Sequence, residues 1–389
     1  MNMEYQLEEL FDLQMGKTPF RNNPEYWDSA DCKWISIGDL SKCGKYIRET
    51  KEYISEKAVS ESGISLIPEK TVVMSFKLSI GKTAITAEPM YSNEAIMSFR
   101  DRHVTELLPD YIYYMFSGRD WTAGANKAVM GKTLNKATLS AVKVKIHSFA
   151  KQREIVERLD SAKRVLALRE QELQTLDDLI KSRFVEMFGT YPANEKGWET
   201  GTIRDLISEV RYGSSRKAAD GDSGQYPYLR MNNITYSGEL DLSDTKTIDI
   251  PDEELPKCTV RRGDVLFNRT NSKELVGKTC VYNRDEMMVL AGFIVRVRVN
   301  DRILPEILSA FLNTDFSKQM LLAMCKAAIG QANINAQELQ SIGIYIPPIE
   351  LQKEFVAFKE QADKSKIAVQ KARNEAQLLF DSLMQQYFG

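Results

Sequence analysis

The sequence predicts an α+β protein in which one unit, a mixed globular domain followed by a long helix, occurs twice. Similar residues recur at a spacing of about 200 along the 389-residue chain. Short β-rich segments alternate with turn residues in each half. Each half ends in a long segment, 151–188 or 351–388, that contains no proline or glycine.

The internal repeat is carried by an ordered series of matching positions. Phe188-Gly189 and Phe388-Gly389 end the two halves at an offset of 200, and Gly81-Lys82-Thr83 matches Gly277-Lys278-Thr279 at an offset of 196. Trp34 matches Tyr228 at an offset of 194. Short insertions between the matched positions would cause the offset to change in this way. This period is far too long for a solenoid, so it indicates a tandem duplication of a whole domain.

Four segments follow from this duplication. The first globular domain covers 1–150 and its helix 151–189, whereas the second domain covers 190–346 and its helix 347–389. Within the globular parts, Thr71–Phe76 and Gly292–Val299 are rich in β-formers. A helix is expected after each of Pro109 and Pro305, because proline suits the first helical position.

The two long helices carry apolar residues at steps of three and four, which is typical of a coiled coil. At 1.5 Å per residue each helix is on the order of 55 Å long, which favours pairing over packing on one domain. The two helices are therefore expected to pair antiparallel, with pseudo-twofold symmetry; ordinary amphipathic helices packed on their own domains remain the alternative. The expected pairing residues are Ile155, Leu159, Leu166, Leu173, Leu176, Ile180, Phe355, Ala362, Val369, Ala376 and Leu383.

Composition narrows the class of protein. Lysine and arginine number 52 against 54 acidic residues, so any nucleic-acid contact must come from local cationic patches. Five cysteines without a CxxC pair predict reduced thiols in a cytoplasmic protein. An acidic N-terminal stretch argues against a signal peptide, and no apolar run is long enough to span a bilayer.

Catalytic motifs are missing from the sequence. There is no phosphate-binding glycine loop, no HExxH and no GxSxG. Asn22–Tyr26 only partly resembles the motif of amino-group DNA methyltransferases and is better explained as a loop. We therefore expect a binding protein rather than an enzyme, with no metal and no cofactor of its own.

Cationic and amide side chains gather on the predicted loops of both globular domains. Arginine, asparagine and glutamine can read base edges in the major groove, while lysine suits phosphates. Several occupy matching places, such as Lys77 with Arg269 and Lys132 with Gln331. The candidate DNA-binding residues are Lys17, Arg21, Lys77, Lys82, Lys132, Lys136, Arg216, Lys217, Arg269, Asn271, Lys278, Gln331 and Asn333.

With these features the chain resembles the specificity subunit of type I restriction-modification systems over essentially its whole length. Gly16–Pro19 with Trp34–Leu40 resembles the opening of a target recognition domain. Val72–Lys82, with Gly263–Arg269 in the second copy, resembles its middle strand and glycine turn. Ile344–Phe355 resembles the segment that leads into the long helix of the family. The first copy departs from the pattern, because His147-Ser148 stands where prolines are usual, so we expect the start of its helix to be less sharply fixed.

The resemblance implies two target recognition domains, each reading one half of a bipartite, asymmetric site in double-stranded DNA. It implies that the helices set the spacer between the half-sites and dock two methyltransferase subunits, which bind S-adenosylmethionine. Restriction subunits join the full complex, and the specificity subunit itself is non-catalytic. The alternative is a coiled-coil scaffold whose globular ends bind proteins and not DNA.

Overall fold

A computed structural model of the chain describes residues 3–77, 79–121, 134–219, 221, 223–272, 275–325 and 332–389. The chain divides into two compact units, Met1–Leu168 with Ala372–Gly389 and Arg169–Lys371. Each unit thus contains one globular part and a portion of both long helices.

The first unit is built on mixed, mainly antiparallel sheets flanked by short helices. Its strands form a five-stranded sheet in the order β2-β9-β6-β7-β4, a three-stranded sheet in the order β5-β3-β8, and the pair β1-β10. The strands are β1 (Met3–Gln6), β2 (Phe11–Met15), β3 (Cys32–Ile35), β4 (Tyr46–Ile47), β5 (Glu52–Ile54), β6 (Val72–Ser75), β7 (Thr83–Thr86), β8 (Tyr91–Ser92), β9 (Ile96–Asp101) and β10 (Lys143–Ile146). The helices are α1 (Leu7–Leu10), α2 (Pro24–Trp27), α3 (Ile37–Leu40), α4 (Glu56–Ser62), α5 (Pro109–Ser117), α6 (Lys136–Ser140) and the long α7 (Phe149–Phe188).

The main core of the first unit lies between the five-stranded sheet, α5 and the long helices. Phe99 of β9 and Phe116 of α5 meet edge to face at 4.7 Å between ring centroids. Ile155 of α7 is fully buried in this cluster, and Phe380 near the end of the second long helix packs against it. Removal of this apolar surface from water is the main force that fixes the helices on the sheet.

The second unit repeats this plan with two four-stranded sheets, in the orders β12-β20-β16-β18 and β14-β13-β19-β15, and the pairs β11-β22 and β17-β21. Its strands are β11 (Glu199–Thr202), β12 (Ile207–Tyr212), β13 (Tyr226–Leu229), β14 (Lys246–Ile248), β15 (Thr259–Val260), β16 (Val265–Asn268), β17 (Thr270–Asn271), β18 (Thr279–Val281), β19 (Met288–Leu290), β20 (Ile294–Val299), β21 (Ala332–Asn333) and β22 (Gly343–Ile346). Its helices are α8 (Leu255–Cys258), α9 (Pro305–Asn313), α10 (Asp315–Met324), α11 (Ala336–Gln340) and the long α12 (Ile349–Phe388).

The core of the second unit is rich in aromatic rings from the long helices. Phe355 of α12 meets Phe184 and Phe188 of α7 at centroid distances of 5.2 and 5.6 Å. All three rings are buried, and they join Phe267 of β16 and Phe311 of α9 in one cluster. Edge-to-face contacts of this kind add to the free energy from burial alone.

Several sequence predictions are confirmed here. Helices begin at Pro109 and Pro305, and strands occupy the β-rich segments as β6 and β20. Helix α7 begins at Phe149 and α12 at Ile349, which keeps the offset of 200 although His147-Ser148 replaces the paired prolines. Every described helix is either too short or too polar to cross a lipid bilayer.

Candidate nucleic-acid interface

A buried glutamine in the first turn of each long helix anchors that helix to its own globular domain. The Gln352 side chain, fully buried, accepts a hydrogen bond from the Leu304 amide at 2.8 Å. Its Nε2 donates to the carbonyls of Arg302 and Pro347 at 3.0 and 2.8 Å. The glutamine thereby joins the loop before α9, the segment before α12 and the helix itself.

Gln152 repeats this arrangement in the first unit. Its Oε1 accepts from the Leu108 amide at 3.0 Å, and its Nε2 donates to the carbonyls of Glu106 and His147 at 2.9 and 3.0 Å. The matched hydrogen bonds show that the duplication extends to individual atoms. His147 thus supplies the carbonyl that Pro347 supplies in the second copy.

The two long helices run antiparallel within each unit. In the first unit, Arg158 near the start of α7 donates to the Tyr387 hydroxyl near the end of α12 at 3.2 Å. In the second unit, Phe184 near the end of α7 packs on Phe355 near the start of α12. The expected pairing residues are all buried or half-buried; those with the least exposure are Ile155, Leu159, Phe355, Ala362 and Val369.

An apolar groove runs along this helix pair in the first unit. It encloses about 420 Å³ and is lined by Ala162, Val165, Ala376, Leu379 and Leu383. Val165 and Leu379 are 42% and 57% exposed. Exposed apolar side chains that cluster in this way are typical of an interaction surface.

In the first domain the structure brings several candidate DNA-binding residues together around Glu94. Thr18 donates a hydrogen bond to the Glu94 carboxylate and lowers its pKa, burial opposes this effect, and the positive charges of Lys77 and Arg21 lower the pKa further. Lys82 is exposed after the turn that follows β6. Arg21 and Lys77 therefore lie near the same carboxylate.

Two of these residues also have structural partners. The Arg21 guanidinium lies 3.8 Å from the centre of the Trp27 ring and forms an ion pair with Glu52. The Lys17 ammonium donates to the carbonyl of Ser62 at 2.5 Å. Phe20, between them, is 68% exposed and was not among the residues expected from the sequence. An aromatic residue flanked by cations on a loop is the signal that could have identified it.

Lys136 is exposed at the start of α6, where Asn135 caps the helix by accepting from the Thr138 amide at 2.8 Å. The cap fixes the loop end that presents the Lys136 side chain. Lys132 lies outside the described residues.

In the second domain, the pairing of β17 with β21 places Asn333 opposite Thr270, and the Ile334 amide donates to the carbonyl of Arg269. The Asn333 Oδ1 accepts from the Thr270 hydroxyl at 2.9 Å, and Asn271 pairs with Ala332 through the backbone. The Arg269 guanidinium lies 5.0 Å from the centre of the Tyr212 ring. The side chain of Asn271 and all of Gln331 lie outside the described residues.

The structure corrects the expectation for Lys278. Only 7% of this residue is exposed, and its ammonium donates to the Met231 carbonyl at 2.9 Å. Burial lowers the pKa of Lys278. The residue is covered by the turn at Met231–Asn233, whereas its counterpart Lys82 is open to solvent, so the matched pair does not present two matched surface charges.

Arg216 and Lys217 lie on an exposed loop of the second domain. Arg216 is held by Glu254, with its Nη2 2.6 Å from the carboxylate, while Lys217 extends into solvent.

Among the residues that the structure describes, no three histidine, cysteine or acidic side chains are placed to share a metal ion.

Comparison with known proteins identifies the family. The family described as type I restriction modification DNA specificity domain matches residues 2–178 and 195–378. The chain is 22% identical over 279 residues to the EcoKI specificity subunit of Escherichia coli K12, covering 68% of this chain and 59% of that protein, which is less than two thirds of its length. It is also 22% identical over 363 residues to the StySPI specificity subunit of Salmonella potsdam, covering 88% and 78%.

The fold is found in solved structures as well. The type I restriction-modification S subunit of M. genitalium aligns over 100% of this chain and 96% of its own, with 11% identity and a TM-score of 0.52. A chain from a study of assembly and conformational transition of a type I system aligns over 100% and 97%, with 15% identity and a TM-score of 0.61. From its two matched repeats and the family match over both of them, this chain belongs to the DNA specificity family of type I restriction-modification systems.

Proposed function

We propose that this chain is the sequence-specific DNA-binding subunit of a type I restriction-modification complex. Each globular domain, 1–150 and 190–346, reads one half of a bipartite, asymmetric site in double-stranded DNA. The observation that carries the proposal is that each domain bears a loop cluster of cationic and polar side chains and is anchored to the long helices by the same buried glutamine.

The proposed DNA contacts divide by chemistry. Exposed lysines such as Lys82, Lys136 and Lys217 suit phosphates, because an ammonium is a compact point charge. Arg269, next to β17, and Asn333 of the paired strand β21 carry the donor and acceptor groups that read base edges. Lys278 is excluded from the proposed DNA contacts because its ammonium is buried.

The same proposal assigns the helices two tasks. They set the spacer between the half-sites, and they dock two methyltransferase subunits that bind S-adenosylmethionine; restriction subunits complete the complex. The apolar groove beside Val165 and Leu379 is the proposed place for a methyltransferase subunit. The chain supplies recognition and positioning and performs no catalysis.

The DNA contacts can be tested in the chain assembled with its methyltransferase subunits. We expect Lys77→Gln with Lys82→Gln to reduce the slope of log affinity against log salt concentration by about one for each phosphate that is no longer neutralised. Lys70→Gln is the matched control, because Lys70 is an exposed lysine of the same domain that is not one of the candidate DNA-binding residues. Absence of salt-dependent DNA binding in the unmodified complex would overturn the proposal and support the protein scaffold instead.

The division of labour between the domains has its own test. Replacing 190–346 by the corresponding domain of another family member should change methylation in one half-site only, as mapped on genomic DNA. A change in both half-sites would contradict independent reading.

The groove can be tested by co-purification with the methyltransferase subunit. Leu379→Asp introduces a charge into the groove and should abolish the complex. Leu378→Asp makes the same change at a neighbouring residue, 70% exposed, that does not line the groove, and should leave the complex intact. Equal effects of the two variants would exclude the groove as the docking site.

A further inference from the structure

Position 45 of the first domain and position 239 of the second are equivalent, and they carry opposite charges. Cys32 pairs with Ile54 across two strands of the first domain, and Tyr226 pairs with Ile248 across two strands of the second. Both residues of the second pair lie 194 positions after their counterparts, so the chain between the paired strands has the same length in both domains. The turns between these strands also match at 194. The Ser36 backbone amide donates a hydrogen bond to the Asp39 carboxylate, and the Arg230 backbone amide donates one to the Asn233 side-chain oxygen. Lys45 therefore corresponds to Glu239 without any insertion.

In the first unit, Lys45 joins the globular domain to the long helix α7. Its ammonium lies 2.6 and 2.9 Å from the two carboxylate oxygens of Asp160 on α7, and 2.6 Å from Asp110 at the start of α5. Only 16% of the Lys45 side chain is exposed. Burial acts to lower the pKa of Lys45, but the hydrogen bonds to Asp110 and Asp160 outweigh it and raise the pKa, so the lysine is charged.

In the second unit the contact has the reverse polarity. Glu239 of the globular domain accepts a hydrogen bond from Lys366 of α12, which also donates to Asp177 of α7. Lys366 is 8% exposed. Burial acts to lower the pKa of Lys366, but its bonds to Asp177 and Glu239 raise it overall. Here the helix provides the cation and the domain provides the acid.

We propose that these two ion pairs of opposite polarity determine which globular domain can pack against the long helices in each unit. We call this charge complementarity the docking key. The first domain presents a lysine to an acidic helix site, and the second presents a glutamate to a basic one. A domain with the wrong residue at this position would bring two charges of the same sign together at a half-buried contact, where the lysine side chains are 16% and 10% exposed and those of the acids Asp160 and Glu239 are 44% and 43% exposed. Like charges repel more strongly where water is partly excluded, so the mismatch is costly even though Lys366 keeps its bond to Asp177.

The proposal leads to a rule for exchanging domains. A domain placed at 190–346 must carry an acid at the position of Glu239, and one placed at 1–150 must carry a base at the position of Lys45. The rule concerns docking within each unit, so it stands independently of DNA binding and can be tested without DNA.

The test uses charge reversals in the full chain, with the thermal midpoint measured by calorimetry. Glu239→Lys gives the second domain the residue of the first and should lower the midpoint of its unit by about 3–6 °C, because the contact is only half-buried and Lys366 keeps Asp177 as a partner. Combining it with Lys366→Glu recreates the polarity of the first unit and should recover most of that loss. Asp301→Lys, at an exposed acid of the same domain, is the control for the charge change and should shift the midpoint by less than about 2 °C.

Three variants test the first unit. They are Lys45→Glu alone, Lys45→Glu combined with Asp160→Lys, and Lys45→Glu combined with Lys366→Glu, which is the mismatched combination because Lys366 belongs to the second unit. Only the pair within the unit should recover stability. The proposal would be overturned if the mismatched combination recovered the thermal midpoint. It would also be overturned if Glu239→Lys had the same midpoint as the Asp301→Lys control.

Hydrogen exchange separates docking from domain stability. In Glu239→Lys, residues 234–242 should exchange faster while β16 and β20 keep their protection. Uniform loss of protection across the domain would show a general stabilising contact and overturn the docking role. Should Glu239→Lys not fold, Glu239→Gln removes the attraction without adding repulsion and gives the same comparison with a smaller shift.

Discussion

Replacement of Gln352 by alanine tests how the long helix α12 is attached to its domain. The wild-type side chain satisfies one amide, that of Leu304, and two carbonyls, those of Arg302 and Pro347, at distances of 2.8 to 3.0 Å. All of them lose their partner in Gln352→Ala. The site is fully buried, so water does not readily replace the side chain.

The magnitude follows from these three groups. A buried polar group left without a partner costs about 1–3 kcal/mol, and carbonyls tolerate this better than amides. We expect a loss of about 3–5 kcal/mol in the free energy of unfolding of the second unit. For a unit of this size, that loss lowers the midpoint by roughly 10 °C.

Urea unfolding of the full chain, followed by circular dichroism and by Trp198 fluorescence in the second unit, measures this loss. Gln361→Ala is the matched control, because Gln361 is an exposed residue of the same helix, and should change stability by less than about 0.5 kcal/mol. Gln352→Glu keeps the volume but turns a carboxylate oxygen towards the two carbonyls, so it should destabilise strongly at neutral pH and recover in part when acid protonates it. A loss below about 1 kcal/mol in Gln352→Ala, or wild-type stability in Gln352→Glu at pH 7, would refute the reasoning.

Three further predictions concern the second unit. Phe355→Ala removes a buried ring that contacts Phe184, and urea unfolding should show a loss of about 3–5 kcal/mol. Gly213→Ala places a Cβ 2.3 Å from backbone carbonyl oxygens, so calorimetry should show a clearly lower midpoint; Gly44→Ala, with open space at its Cβ, should not change it. Burial, together with neighbouring lysines, lowers the pKa of Lys318 to about 7. Since the unfolded chain keeps that proton up to about pH 10.4, stability should rise between about pH 7 and 10 by up to about 1.4 kcal/mol for each step of one in pH, and Lys318→Met should remove this contribution. The buried Lys278, whose pKa is also lowered, should keep a smaller rise in the variant.

The secondary structure was predictable wherever it depends on local sequence. The absence of proline and glycine over 151–188 and 351–388, with apolar steps of three and four, is sufficient for a long helix. Pro109 and Pro305 indicate the following helices for an equally local reason, namely a fixed φ and a missing amide hydrogen. The duplication was visible because it is a property of the sequence alone.

The state of individual charges was not predictable. Lys82 and Lys278 occupy matching positions, yet one is exposed and the other is buried under the Met231 turn. Arg21 has the Glu52 carboxylate and the Trp27 and Trp34 rings as neighbours, and Glu52 comes from a strand that lies well beyond the Arg21 loop in the chain. The sequence shows that a lysine or arginine is present but not what packs over it.

The amino-acid sequence by itself determined the two-copy plan, the long helices and the family, because periodicity and repetition are encoded in the order of residues. Only the tertiary structure decided which cations face solvent, how Gln152 and Gln352 anchor the helices, and that Lys45 and Glu239 make contacts of opposite polarity. The physical reason is that burial and pairing depend on side chains far apart in the chain, which folding alone brings within hydrogen-bond distance.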